Sequence, residues 1–461
     1  MRSTFKGELT AFLSILFVLL TAFICAIADV AAAHEEKCLQ RAKTDLALYS
    51  LFGEYKRELK EEYHIFGVDA GYGSGTYVEE MLPGRLRYYG LEAQEANITD
   101  IQFLTDHQGS VFYEQAIYYM EVKYGLELAG DLLGNTEKWE EYESDGEAYE
   151  KDREELLDNV SGAVDVTQIE ALEDPNARQE SQQMLSDWDA QRKSFFLESV
   201  LPKNFELSGL GISLQEQPSV RELNSGYGSF KKKSRLAAGG KLLFDEYLLR
   251  TFSSATAPEE AGGLAYELEY LIAGEESDKE NLEKTARKLL WVRYASNYAY
   301  LLTDEQKKAE AEAKAAVIAA LLLLPEMTEV IKQTLLLLWA YRESVGDIQI
   351  LLAGGKIPLV KEQQSWHSGL GDVFLSESDA GTAAESTEGM DYQEYLRMLL
   401  FCSDKEKLAM RGLDLIETGI RIREGTKTFR ADLCVSGLKL ENTIVLGDGI
   451  SYTFPAKFAY R

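Results

Sequence analysis

LTAFLSILFVLLTAFICAIA, running from Leu9 to Ala28, decides how the rest of the chain is read. The run carries no charge and closes at Asp29. A bilayer core is about 30 Å thick, and roughly 20 apolar helical residues cross it. Thr10, Ser14 and Thr21 can return their hydroxyls to the helix backbone and so cost little. Arg2 and Lys6 precede the run, so the positive-inside rule places residues 1–8 in the cytoplasm and the chain after residue 28 outside. The expectation is a single-pass cell-membrane protein with an extracytoplasmic C-terminal domain. Cleavage after Ala28 or Ala33, as in a secretory signal, is the alternative. The run is longer than the roughly 7–15 apolar residues of a signal core, which favours a retained anchor. Prepilin-type cleavage after Gly7 is a third option. It would place Phe12 where such substrates carry an acid, with Glu8 at the new first position.

Outside the run, the pattern predicts a helical stalk over residues 29–66. Leu39, Ala42, Leu46, Tyr49, Phe52 and Leu59 recur at spacings of three, four or seven and form one apolar stripe. The stretch 67–236 reads as mixed. Within it Ile98–Asp106 is a strand or extended segment, Phe112–Leu133 is helical, and Glu137–Glu155 is an acidic tract expected as a solvated arm. Asp174 should cap a polar helix with Pro175 at its first position.

The stretch 237–375 reads as a helical bundle core. Asp278 and Thr303 are the expected caps of two of its helices. Ala316–Leu324 and Thr334–Tyr341 are apolar all round but too short to span a bilayer, and are expected at the centre of the bundle. Residues 376–389 form a polar linker. Residues 390–461 hold two helices and then three β-rich segments, Phe429–Val435, Leu438–Val445 and Ile450–Phe458. The fold class is mainly α with a small C-terminal β element, α+β overall.

The chain has 461 residues and a formal net charge of −29. Such a surface repels nucleic acid, so no nucleic-acid partner is expected. Cys38, Cys402 and Cys434 lie outside the apolar run and Cys25 inside it. No CxxC spacing occurs, so free thiols are expected, with one Cys402–Cys434 bridge as the alternative.

Motifs that carry chemistry are scarce. Gly71–Thr76 (GYGSGT) lacks the Gly-Lys-Ser/Thr ending of a phosphate loop and reads as a plain loop. Ala353–Lys356 (AGGK) reads as a helix end followed by a turn. His34, His64, His107 and His367 are scattered, without the spacing of a metal site. Trp291, Trp339, Tyr298 and Tyr341 lie in apolar helical segments and are expected in the core. Arg342, Glu343 and Asp347 are read as polar anchors at a helix end, after which Gly354 and Gly355 turn the chain into an extended segment around Pro358. No catalytic, cofactor-binding or metal-ligating residue is nominated, and no cofactor is expected.

Four blocks together carry a family resemblance: Gly7–Asp69, Leu264–Asp304, Leu335–Trp366 and Met390–Phe401. They resemble an uncharacterised family of Gram-positive bacterial membrane proteins, a domain of unknown function whose members are associated with tight-adherence (Flp-type) pilus and type II secretion-like gene clusters. The resemblance is weakest between Gly134 and Leu236. It implies a non-enzymatic, pseudopilin-like or accessory envelope component with protein partners in that machinery. An anchored adhesin or cell-wall ligand receptor is the alternative.

Overall fold

The computed structural model describes residues 4–91, 95–125, 137–191, 196–202, 205–230, 238–259, 263–374, 388–447 and 449–460. They fall into two compact units that interleave along the chain. The first takes Met1–Ala116, Glu222–Ser234 and Glu424–Arg461; the second takes Ile117–Arg221 and Arg235–Arg423.

The first unit is built on one long helix and one sheet. Helix α1, Thr4–Phe52, runs unbroken for 49 residues. At 1.5 Å per residue that is roughly 70 Å. It ends in the turn at Gly53, so the expected stalk is not one helix through residue 66. A short α2 follows at Arg57–Tyr63, and α3 at Met81–Tyr88. The β-strands are β1 (Val68–Asp69), β2 (Glu95–Phe103), β3 (Cys434–Val445) and β4 (Ser451–Ala459).

All pairings are antiparallel and all are made to β3. Phe103 and Val68 both oppose Val435, so β2 takes one edge of β3 while β4 and then β1 share the other. The β-rich tail agrees with the sequence pattern. Its recruitment of two strands from the first quarter of the chain does not follow from that pattern. Of the expected Phe429–Val435 segment only Cys434 and Val435 are strand; they run through Ser436 and Gly437 into the second expected segment to make β3, while Ala431–Leu433 form a 3-10 turn. Pro455 sits in β4, which needs no donor on its outer edge. Ala47, Leu48, Leu51 and Phe52 of α1 pack on Val435, Leu438 and Leu440 of the sheet, with Leu82 and Leu86 of α3. Phe52 stacks on Phe458 at 4.4 Å between ring centroids, and Asn442 donates to Thr44 Oγ1 at 2.9 Å.

α4, Asp106–Tyr124, opens with three left-handed residues, His107, Gln108 and Gly109. The second unit is helical. In chain order it contains α5 (Glu137–Ala163), α6 (Val166–Glu170), α7 (Pro175–Ala190), α8 (Phe196–Val200), α9 (Ala238–Thr251), α10 (Glu267–Ala273), α11 (Asp278–Thr303), α12 (Glu305–Leu321), α13 (Thr328–Leu352), α14 (Tyr392–Cys402) and α15 (Lys405–Glu424, its last residue in the first unit). Helices α11 and α13 form its centre, where Leu335–Ala340 of α13 are buried without interruption.

The arm expected at Glu137–Glu155 is instead a member of this bundle. α5 lies along α11, and its Leu157 and Val160 join the core. Its Arg153 places the guanidinium 3.8 Å from the centre of the Tyr341 ring. Acidic residues dominate the composition, but the inward face is apolar and aromatic. α12 also departs from expectation. Ala311, Ala315, Ile318 and Ala319 are buried while Val317 is 55% exposed, so this helix is peripheral with one inward face.

The caps differ from expectation at two of the three helices. Asp174 caps α7 as expected. Ser277 caps α11, freeing Asp278 to accept from the backbone N–H of Ala265 and Tyr266. Asp304 caps α12, while Thr303 returns its hydroxyl to Tyr300 O. The linker expected at 376–389 lies mostly outside the described residues, as does the end of the expected 112–133 helix.

Candidate functional site

The segment RESVGDIQILLAGGKIPLVKEQQSWHSG, Arg342–Gly369, folds back on itself in the second unit. Glu343 and Asp347 are four residues apart on α13, and so share a face. Arg293 and Asn297 are likewise four apart on α11. The two faces meet. Arg293 Nε donates to Asp347 Oδ2 at 2.9 Å, and Asn297 Nδ2 donates to the same oxygen at 3.0 Å. Asn297 also donates to Ser344 Oγ and accepts from Arg293.

α13 ends at Leu352, and the N–H of Gly355 closes the turn on Ile350 O at 2.8 Å. Gly354 has φ +87°, and a β-carbon on Gly355 would lie 2.5 Å from Ile350 Cγ2. Only glycine fits that approach, and the chain reverses there. The returning strand is then pinned: Arg293 Nη1 donates to the carbonyls of Pro358 (2.9 Å) and Leu359 (2.8 Å), and Ser296 donates to Leu359.

Lys361 enters the same space from the returning strand. Its Nζ lies 2.6 Å from Asp347 Oδ1 and donates to Glu343 Oε1. Glu343 also accepts from the backbone N–H of His367 (2.9 Å) and Ser368 (2.7 Å). His367 Nδ1 is 3.4 Å from Glu343 Oε1 and 3.5 Å from Lys361 Nζ. A neutral ring protonated at Nε2 accepts from Lys361; a proton on Nδ1 serves Glu343 instead.

Burial alone would push the Glu343 carboxyl up. The His367 and Lys361 contacts overcome it and hold the group well below the usual carboxylate range. Above the cluster, Lys307 Nζ lies 4.5 Å from the centre of the Trp339 ring and 4.8 Å from that of Trp366. Burial pulls this lysine below its ordinary value. Both indole N–H groups donate to Ser368 O.

Donor atoms of Glu343, Asp347 and His367 all lie within 4.8 Å of one another, the one such grouping among the described residues. Two carboxylates and an imidazole suit a divalent transition metal. Here, however, the Lys361 ammonium contacts both carboxylates and supplies the cation itself. Two cations, Arg293 and Lys361, balance two anions, Glu343 and Asp347. The arrangement clamps a chain reversal onto two helices.

Glu343, Asp347 and the glycine turn are legible in the sequence. Their place is not, since both acids lie inside α13 rather than at its end. Arg342 stays out of the cluster. Its Nη2 is buried with no hydrogen-bond partner among the described residues. Arg293, Lys361 and His367 escape a sequence reading because no spacing links them. The other three histidines stay apart: His34 lies near Cys38, and His64 and His107 hold left-handed turns.

In GYGSGT, the Asp69 carboxylate accepts from the N–H of Gly71 and Gly73 and so fills the position a phosphate would take. All four cysteines are free. Trp339 is buried as expected, while Trp291, Tyr298 and Tyr341 are half-buried.

A model of a family of unknown function (DUF5702) matches residues 174–446, and the chain belongs to that family. The matched span contains the whole ionic cluster and all of β3, but none of the strands that pair with β3; α1 lies outside it. No curated protein matches the chain, and no solved structure does.

Proposed function

We propose that this DUF5702 member is a non-enzymatic, membrane-anchored protein whose folded body stands outside the cytoplasm. Its role is that of a pseudopilin-like or accessory component in a tight-adherence pilus or secretion-associated envelope assembly. The observation that carries the reading is the continuity of α1. One unbroken helix holds the apolar run at one end, and its last turns pack on the sheet at the other. A force on the anchor therefore reaches the folded unit without passing through a flexible joint. The apolar run is the one candidate span among the described residues. Arg2 and Lys6 before it, and a net charge of −29, agree with an outward-facing body. The ionic cluster adds to this reading, because its charged groups are spent on one another and on the backbone.

Deletion of the gene should abolish assembly of surface pili; an intact, functional pilus in its absence would overturn the reading. The intact mass of the N-terminal peptide from native membranes separates the modes of anchoring. A start at or near Met1 means a stationary scaffold. A start at Glu8 means a processed subunit that can enter a filament. A start at Asp29 or His34 would remove the anchor.

A further inference from the structure

The ionic cluster holds an amine against a carboxyl with water shut out. The side chains of Lys361 and Asp347 have no exposed surface, and that of Glu343 is 1% exposed. Lys361 Nζ lies 2.6 Å from Asp347 Oδ1. It approaches off the hydrogen-bonding direction, and Oδ1 accepts no hydrogen bond among the described residues. The other carboxyl oxygen is committed. Oδ2 accepts from Arg293 Nε at 2.9 Å and from Asn297 Nδ2 at 3.0 Å. Both donors draw electron density from Cγ and stand where charge would gather if a nucleophile added there. Cγ is one bond beyond Oδ1, so amine and carboxyl carbon are held at contact distance, and a bimolecular encounter becomes an intramolecular one. Glu343 is placed differently. Its Oε1 accepts from Lys361 Nζ and the His367 N–H, and its Oε2 from the Ser368 N–H. These donors favour the carboxylate, which meets the amine as a base.

We propose that Lys361 and Asp347 condense to an intramolecular amide, Nζ to Cγ, with loss of one water and with Glu343 as proton carrier. One ammonium proton passes to Oδ1, leaving a neutral amine and a neutral acid. The nitrogen lone pair forms the C–N bond at Cγ, and the negative charge gathers on Oδ2, facing Arg293 and Asn297. Glu343 takes a second proton from the nitrogen and gives it to the Oδ1 hydroxyl. The C–Oδ1 bond breaks, water leaves, and Oδ2 remains as the amide carbonyl oxygen. Nζ keeps one hydrogen, and Glu343 ends as it began. One buried cation and one buried anion vanish together, which removes their desolvation cost. Glu343 stays balanced by Arg293. The product ties α13 covalently to the returning strand. Lys405 supplies an internal comparison. Its Nζ is 2.5 Å from buried Asp245, but it donates a hydrogen bond to that carboxyl and contacts no second carboxylate among the described residues. No amide is expected there.

The test is peptide mass spectrometry of the full chain extracted from native membranes. Trypsin cuts after Arg342 and Lys356, while an amide on Lys361 blocks cutting after that residue. The parent should therefore yield a branched species joining Glu343–Lys356 to the peptide from Ile357 to Arg397, lighter than the sum of the two by one water. Fragmentation should place the branch on Asp347. Lys361→Arg should restore cutting after residue 361 and abolish the branch. Glu343→Gln, checked for folding by circular dichroism, should slow the appearance of the branch in a pulse–chase by about a hundredfold, the loss expected on removing a proton carrier. Complete cutting after Lys361 in the parent, a branch on Glu343, or an equal yield of branch between Lys405 and Asp245 would overturn the proposal. An unchanged rate in folded Glu343→Gln would overturn the role given to Glu343. The parent measurement needs no variant, so a variant that fails to fold leaves the proposal open to refutation.

Discussion

Gly146 of α5 lies so close to Trp291 of α11 that a β-carbon at position 146 would sit 2.0 Å from the Trp291 carbonyl oxygen. The obstructing atom is backbone and cannot rotate away. Gly146→Ala would gain about 1 kcal/mol on an isolated helix. Here the clash must push α5 and α11 apart, and overpacking of a tight core costs about 1–3 kcal/mol. Net destabilisation is expected, read as a lower urea midpoint. Gly162→Ala in the same helix meets nothing within 4 Å and should be neutral or stabilising. Equal effects at the two sites would show that α5 does not pack on α11 this closely.

The contact also explains why the acidic tract misleads a sequence reading. Composition marks Glu137–Glu155 as solvated, but packing depends on one face, and Gly146, Tyr149, Arg153, Leu156, Leu157 and Val160 supply it. Long periodic helices such as α11 and α13 are legible, as is the glycine turn after α13. The sheet is half legible: a β-rich tail shows in the sequence, but nothing local tells Glu95–Phe103 that its partner lies more than 300 residues away. The ionic cluster fails for the same reason. Arg293, Asp347 and Lys361 meet only after the chain reverses, and charge alone does not distinguish them from the many solvated acids and bases of this sequence.

Removing Lys361 should cost far more than removing a surface lysine. Lys361→Met leaves Glu343 and Asp347 buried without that cation, and breaking a buried pair typically costs about 3–5 kcal/mol. Adding Glu343→Gln to Lys361→Met should recover some of the loss, because the uncompensated charge goes with it. Chemical denaturation of the two single variants and the double variant gives the coupling directly. A strictly additive result would mean that the two side chains do not interact.

Stability should rise as the pH is lowered from 8 toward 5, and Glu269 should account for some of the rise. This carboxyl is fully buried, accepts from Tyr392 Oη at 2.8 Å and from the Ala255 N–H at 2.9 Å, and is pushed by burial up to about 7. Glu267 is pushed up to about 7 in the same way. The folded state then binds a proton that the unfolded chain, near 4.5, has already released. Stability therefore falls as pH climbs through that window and levels off above it. One group contributes on the order of 2–3 kcal/mol, since each tenfold change in proton affinity is worth about 1.4 kcal/mol. Repulsion among the surface acids has the same sign, so the decisive measurement is the difference between the parent and Glu269→Gln. The variant should show a shallower slope of unfolding free energy between pH 5 and 7; parallel slopes would place Glu269 in a more polar setting.

Gly355→Val tests the reversal on which the cluster depends. The new β-carbon would press on Ile350 Cγ2 at 2.5 Å and on the Ile350 carbonyl oxygen at 3.1 Å, the atom that accepts the turn-closing N–H of residue 355 itself. Relief requires opening that turn. Opening it lifts Pro358 and Leu359 from Arg293 and draws Lys361 away from Asp347. The loss should therefore exceed a local strain and include the pinning of the returning strand. Insoluble protein, or a melting temperature lowered by several degrees with faster proteolysis between residues 355 and 369, is the expected outcome. Gly371→Val, at a site with nothing within 4 Å, should leave both measurements unchanged. Unchanged melting and solubility in Gly355→Val would mean that the chain reverses by another route and that the ionic cluster does not depend on this turn.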